Sequence, residues 1–221
     1  MAHVPSEKSS RGGKNEPIWQ DRLQKMMQNA EQDLDRGALT AGYKANPDEI
    51  IALLKRAQAG EWSSFLQYWH HYFMASDLHS AEIKEHFKKH AKDELEHATM
   101  FGQRIQQLGG VPCDKPEEIA HLTTAPTEYN HDLRSMIEAD LVGERQTIDF
   151  YDEIIRVCGF DDNVTRRLFE HALKEEAEHA DDWATLLFAV DASTGQTTDS
   201  LHEELIQLAR ASAQGRQARS A

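Results

Sequence analysis

The sequence predicts an all-α fold, a four-helix bundle with one long crossover, on three observations. Four long segments carry apolar residues at steps of three and four, the period of one helix face. No run of β-branched residues alternates with period two between turn signals, so no strand is expected. The connectors between the four segments run short, long, short, which makes two antiparallel pairs joined by a single crossover.

Taken in order, residues 1–45 read as an extension: a Ser-, Gly- and Lys/Arg-rich start, a short helix from about Pro17 to Asp35, then a connector containing glycine. The first long helix opens with Asn46 as cap and Pro47 at its first position, where a missing N–H costs nothing, and runs to about Ser76. The second covers about Ser80 to Leu108 and is stopped by Gly109, Gly110 and Pro112. A crossover from about Val111 to Pro126 holds three prolines and little periodicity. The third helix spans about Glu128 to Val157, a GFDD turn follows, and the fourth spans about Asn163 to Val190. The bundle is thus expected over residues 46–190, and the tail, 191–221, carries a candidate short helix, DSLHEELIQLAR.

Bulk properties narrow the function. A chain of 221 residues suits one core with extensions, and a formal net charge of -14 argues against a general polyanion binder. The first twenty residues hold no apolar run and the longest apolar stretch, WATLLFAV, cannot span a bilayer, so a soluble cytoplasmic protein without membrane association is expected. Cys113 and Cys158 are too few for a disulfide framework and lack CxxC spacing. They read as two separate thiols, although both follow helices that end on the same side of such a bundle, where a disulfide is geometrically conceivable.

Each long helix places a glutamate on its apolar stripe. The stripes read Leu54, Ala57, Glu61, Phe65, Tyr68, Tyr72; then Phe87, His90, Glu94, His97, Phe101, Ile105, Leu108. The other two read Leu133, Ile137, Leu141, Glu144, Ile148, Tyr151, Ile155, and Leu168, Ala172, Glu176, His179, Trp183, Leu186, Val190. An isolated ionised carboxylate in a core costs several kcal/mol, so four facing one another require something cationic among them. Depth agrees: Glu61 lies 16 residues before Asp77 and Glu94 lies 17 after it, while Glu144 and Glu176 lie 16 residues on either side of Phe160. All four therefore fall about 24 Å from the turns at 1.5 Å per residue. His97 and His179 each follow their glutamate by three residues, one turn on along the same face. Four carboxylates with two imidazoles suit two transition ions, iron, manganese or zinc, better than calcium or magnesium.

The ExxH spacing by itself is weak, because 12 histidines among 221 residues give about one chance match and the sequence holds four. Glu118 with His121 and Glu128 with His131 lie in or beside the crossover, without a glutamate at matched depth, and are rejected as ligands. Glu96, Glu138, Glu175 and Glu178 lie off the stripes and read as solvent-facing charge. Tyr68 and Tyr151 each follow the first glutamate of their half by seven residues and point inward, either as packed core residues or as hydrogen-bond or electron donors to the site.

The stretches AGEWSSFLQYW, DELEHA, EADLVGERQTIDFYDEI and KEEAEHADDW resemble the four helices of bacterioferritin and the bacterioferritin-like mini-ferritins, over roughly residues 48–190. The resemblance implies a ferritin-like bundle with a ferroxidase centre of two irons per subunit. In it Glu94 and Glu176 bridge the irons, Glu61 and Glu144 are terminal carboxylates, His97 and His179 each bind one iron, and Tyr68 stands beside the centre. It further implies oxidation of Fe(II) by dioxygen or hydrogen peroxide and deposition of ferric product inside a homo-oligomeric 12- or 24-subunit shell. Haem is not expected, because the methionine that ligates it directly follows the second-helix glutamate in bacterioferritins and here that residue is Leu95. The thiol pair of some relatives is not expected either, since Gln146 occupies one of its positions.

Three functions share such a site: an iron-oxidising store, a dimetal oxidase, oxygenase or peroxidase without mineral storage, and a DNA-protecting mini-ferritin. An oxygenase needs an apolar substrate cavity beside the metals. A peroxidase of the rubrerythrin type adds a module with four cysteines, which a chain with two cannot make. DNA binding would rest on Lys8, Arg11, Lys14, Arg210, Arg216 and Arg219 in the tails, offset by Glu7, Glu16 and Asp21, and is not expected.

Overall fold

Among the residues that the computed structural model describes, 16–75, 81–123, 128–129 and 132–194, every regular element is helical. They form α1 (Glu16–Ala30), a 3-10 turn (Leu34–Arg36), α2 (Pro47–Met74), α3 (Ala81–Gln107), α4 (Pro116–Leu122), α5 (Leu133–Cys158) and α6 (Asn163–Thr194). The bundle is α2 packed on α3 and α5 packed on α6, with α4 lying against α2. The candidate helix in the tail lies outside the described residues.

Local chemistry explains most boundaries. Asn46 caps α2, its side chain accepting from the Asp48 N–H at 3.1 Å. Gly109 ends α3 at φ 86°, a left-handed conformation that a side chain would strain. α5 starts at Leu133, five residues later than the sequence suggests, because Asp132 caps it through the Ser135 N–H at 2.9 Å. At the far end of the bundle, Asp162 caps α6 through the Thr165 N–H at 2.9 Å. α1 stops at Ala30, short of the expected Asp35, where Asp33 turns left-handed at φ 50°.

The crossover is ordered by polar side chains of α2, which periodicity could not reveal. Gln58 donates to the Ala98 carbonyl at 2.9 Å and accepts from the Cys113 N–H at 2.7 Å, while the Trp62 indole donates to the Cys113 carbonyl at 3.1 Å. Gly102 makes this possible, since a Cβ there would stand 2.5 Å from the Gln58 amide nitrogen. Two turns on, Gln67 donates to Asp140 at 2.7 Å and accepts from the Glu128 N–H at 2.9 Å, and His71 contacts Asp140 at 2.9 Å. All of these α2 side chains except the half-buried Trp62 are buried, so each bond satisfies a group that water cannot reach. Between those two anchorages the expected structureless segment contains α4, begun by Pro116 and tied down by Lys55 to Glu118 at 2.6 Å.

Two apolar clusters flank the middle of the bundle. One gathers Leu54, Phe101, Ile105, Tyr151, Ile154 and Phe169; the other gathers Tyr68, Phe87, Met136, Ile137 and Trp183. Phe101, Phe169 and Tyr151 meet ring to ring at 4.7–5.6 Å, and Phe87 stacks on Trp183 at 4.9 Å. Full burial of each such side chain contributes about 1.5–3 kcal/mol.

Cys113 and Cys158 are both free and buried, and burial pushes the Cys158 thiol up to about 11. The native protein should therefore keep its mass on reduction and take up two alkylating groups only after unfolding. Rapid alkylation of the native chain, seen by intact mass spectrometry, would contradict this arrangement.

Candidate metal centre

Between the clusters lie Glu61 on α2, Glu94 and His97 on α3, Glu144 on α5, and Glu176 and His179 on α6, each no more than 4% exposed. Helical period puts them on inner faces, and equal distance from the turns puts them at one level. They fall into two quartets, Glu61, Glu94, His97, Glu176 and Glu94, Glu144, Glu176, His179, with one ligand atom per residue all within 4.8 Å of one another.

Glu94 and Glu176 belong to both quartets, and their oxygens divide between the histidines. Glu94 Oε2 is 3.6 Å from His97 Nδ1 and its Oε1 is 3.4 Å from His179 Nδ1. Glu176 Oε1 is 3.0 Å from His97 Nδ1 and its Oε2 is 3.4 Å from His179 Nδ1. Of these two histidines, Glu61 approaches His97, at 3.7 Å, and Glu144 approaches His179, at 3.6 Å. The arrangement is two similar halves sharing two carboxylates, a geometry that fits a pair of ions side by side.

Outside this ring the imidazoles meet two further carboxylates, Glu175, which its position off the stripe suggested was solvent-facing, and Asp93. His97 Nε2 meets Glu175 at 2.8 Å and His179 Nε2 lies 3.4 Å from Asp93. Glu175 is thus not a bare solvent-facing charge, whereas Glu96, Glu138 and Glu178 are exposed as expected. The signal was available: KDELEHA at 92–98 and KEEAEHA at 174–180 share an acid just before the glutamate. Helical twist carries that acid to the outer edge of the facing helix's histidine, where it orients the ring so that Nδ1 points inward.

Tyr68 donates to Glu144 and Tyr151 donates to Glu61, so each half has one tyrosine on its unshared carboxylate. Trp183 donates to the Tyr68 oxygen at 3.0 Å and stacks on its ring at 5.6 Å. Of the rejected pairs, Glu118 binds Lys55 on the surface of the crossover, and His131 lies outside the described residues.

Electrostatics mark these groups as strained without a cation. Burial, then the charges of Glu94 and Glu176, hold the Glu61 carboxyl well above the usual carboxylate range; burial, then Glu176 and Glu94, do the same to Glu144. Burial works against ionised Glu94 too, but Glu61, His179 and His97 outweigh it and hold Glu94 below that range. Burial would lower His97, yet Glu176 and Glu94 raise it to about 11, and Asp93, Glu144, Glu176 and Glu94 likewise raise His179. Buried Glu94 Oε1, both oxygens of Glu176 and both inward Nδ1 atoms lack hydrogen-bond partners, an unusual concentration of orphaned polar atoms that metal coordination would satisfy. Metal binding needs these carboxylates ionised and the inward Nδ1 atoms free of protons. Loading should release protons, so affinity should fall as pH drops. Calorimetric titration with Zn(II) near pH 7 in two buffers of different ionisation enthalpy should show release of at least about one proton per ion.

The ferritin-like domain family matches residues 51–191. Bacterioferritin from Desulfovibrio desulfuricans is 32% identical over 133 residues, 59% of this chain and 70% of that protein. Its structure, described with the diiron site in different catalytic states, superposes with TM-score 0.60 at 27% identity, covering 66% of this chain and 82% of that one. The dodecameric thioferritin of Bacteroides fragilis, a bacterioferritin-related protein, gives TM-score 0.66 at 27% identity over 70% of this chain and 94% of that one. A nutrient stress-induced DNA-binding protein from Synechococcus sp. is 30% identical over 135 residues, 60% of this chain and 77% of that protein. The matched span covers α3 and α5 whole, most of α2 and α6, and all six converging side chains, and the chain belongs to the ferritin-like family, in its bacterioferritin-like group.

Proposed function

We propose that this protein oxidises Fe(II) with dioxygen or hydrogen peroxide and retains the ferric product as an iron store in a shell of its own copies. Residues 46–190 form the working bundle, flanked by segments 1–45 and 191–221. The observation that carries the reading is the pair of overlapping quartets sharing Glu94 and Glu176. Fe(II) is the substrate: each ion gives up one electron, so a pair supplies the two that reduce dioxygen to hydrogen peroxide.

The protein's part is to bind and orient. Four carboxylates balance the charge of two divalent ions, and neutral His97 and His179 add the nitrogen donors that favour transition metals. Glu175 accepts from His97 Nε2 and Asp93 faces His179 Nε2, which keeps the inner nitrogens available. Tyr68 and Tyr151 fix the rotamers of Glu144 and Glu61 by donating a hydrogen bond to each. Exposed Trp19, Leu23, Met26 and Met27 on α1 and Phe160 beyond α5 offer apolar surface suited to subunit packing. No described helix is long and apolar enough to cross a membrane.

Oxidation of an organic substrate is less well supported. The cavity beside Tyr151, lined by Ala57, Gly60, Thr147 and Phe150, holds about 30 Å³. That is room for a water-sized molecule. Leu95, half-exposed on α3, offers no thioether to haem. The basic tail residues lie outside the described residues, and with a net charge of -14 the protein should not retard DNA in a gel at moderate salt.

The deciding experiment is anaerobic Fe(II) titration of the apoprotein, then oxygen or peroxide, followed by absorbance and by elution from a sizing column. Two irons oxidised per chain, with further iron retained by a large assembly, is the expected result. A small oligomer that takes up no more iron would replace storage by a dimetal oxidase.

A further inference from the structure

One turn from the dinuclear centre stands a second group of ligand-type side chains. His86 and His90 are four residues apart on α3, hence on one face, and Asp182 reaches them from α6. One ligand atom from each lies within 4.8 Å of the others, with His90 Nε2 at 3.6 Å from Asp182 Oδ2 and the two imidazole rings 6.1 Å apart.

His90 makes this more than a surface cluster. It is fully buried, packed against Tyr68, Trp183 and His179 at ring distances of 5.7, 4.7 and 4.1 Å, and neither of its nitrogens has a hydrogen-bond partner. The Nδ1 atom of half-buried His86 is likewise buried and unpartnered. Imidazole nitrogens closed off from water normally find a donor or acceptor, and here the group that would satisfy them is a cation. Ordinary core packing does not explain why two such rings should face one carboxylate. The Lys89 ammonium lies 4.0 Å from Asp182 on a flexible, exposed stem, which an ion can displace.

We infer that His86, His90 and Asp182 form a third metal site, which takes a divalent transition ion such as Zn(II), Co(II) or Fe(II). Two imidazoles and one carboxylate match the preferences of these ions and not those of calcium or magnesium, which favour oxygen alone. Three protein ligands leave at least one coordination position for water. None of the three belongs to the quartets around Glu94 and Glu176, so the site has a ligand set of its own. His90 also lies within ligand distance of Glu144 and His179, so one imidazole stands between the two metal positions.

The test is anaerobic titration of the metal-free, full-length protein with Co(II), read by visible absorption and by metal content after equilibrium dialysis. His86→Ala should bind one Co(II) fewer per chain than the unaltered protein while keeping the ions that Glu94→Ala removes. Equal stoichiometry in His86→Ala and the unaltered protein would overturn the site. Should His86→Ala lose its helical circular dichroism, Asp182→Asn at the half-exposed carboxylate decides instead: at least tenfold weaker binding of one ion supports the site, and unchanged binding overturns it. The two readings separate cleanly, because Co(II) binding that is unchanged by Glu94→Ala but reduced by His86→Ala would count against the dinuclear centre and leave this site standing.

Discussion

Replacing Glu94 by alanine should abolish the proposed rapid Fe(II) oxidation and leave the bundle folded. Glu94 places one oxygen toward each histidine, so the substitution removes a ligand from both halves at once. Loss of an outer-shell partner already costs about 10–100-fold in metal affinity or activity, and loss of a shared ligand should exceed the upper end. The metal-free chain should lose some stability while staying folded, because Glu94 is the buried carboxylate that faces both His97 and His179 and alanine leaves them less compensated. Stopped-flow absorbance after mixing with oxygen reads the first effect, and thermal melts with and without Zn(II) read the second. In the unaltered protein, metal at a hundred times its dissociation constant adds about 2.7 kcal/mol to stability, and the variant should lose that increment. Unchanged oxidation kinetics would show that the centre lies elsewhere.

Replacing Asp162 by alanine should destabilise the far end of the bundle by about 3–5 kcal/mol, the range for breaking a buried ion pair from one side. The carboxylate accepts from Arg104 at 3.0 and 3.1 Å and from Tyr43 at 2.7 Å, besides capping α6 at Thr165. Arg104 is itself only 6% exposed and would be left as an uncompensated buried charge. For a chain of this size the melting temperature should fall on the order of 10 °C. Replacing both partners together, as Arg104→Met with Asp162→Leu, should recover much of the loss, because no charge then remains buried. A single-variant loss under about 1 kcal/mol by urea unfolding would mean that the pair behaves like an exposed one. Iron oxidation should persist in folded Asp162→Ala, since the pair lies near the bundle end and the centre lies midway.

The two predictions draw on different depths of legibility. Glu61, Glu94, Glu144 and Glu176 could be picked out from the chain because helical period and distance from a turn are both arithmetic on residue number. A carboxylate on an apolar stripe is costly enough to demand a reason. Asp93 and Glu175 were missed because each is off its own stripe and acts on the other helix's histidine, a relation that depends on how α3 and α6 face each other. His90 was read as one more stripe residue, and only packing shows that its nitrogens have no partner. The crossover failed for a related cause: Gln58, Gln67 and His71 serve backbone groups 40 to 61 residues away, and polar side chains reaching across the bundle leave no periodic trace.

By itself, then, the sequence determined the helical class, the order and approximate ends of the helices, and the height at which ligand-type residues accumulate. These follow from local rules: period, caps, helix breakers and 1.5 Å of rise per residue. Tertiary structure alone decided which oxygen of each shared glutamate faces which histidine, which outer acids steer the rings, and where the chain between α3 and α5 is tied down. Those choices depend on the rotation of one helix against another, and rotation is set by the packing of side chains from all four helices at once, which a linear pattern does not encode.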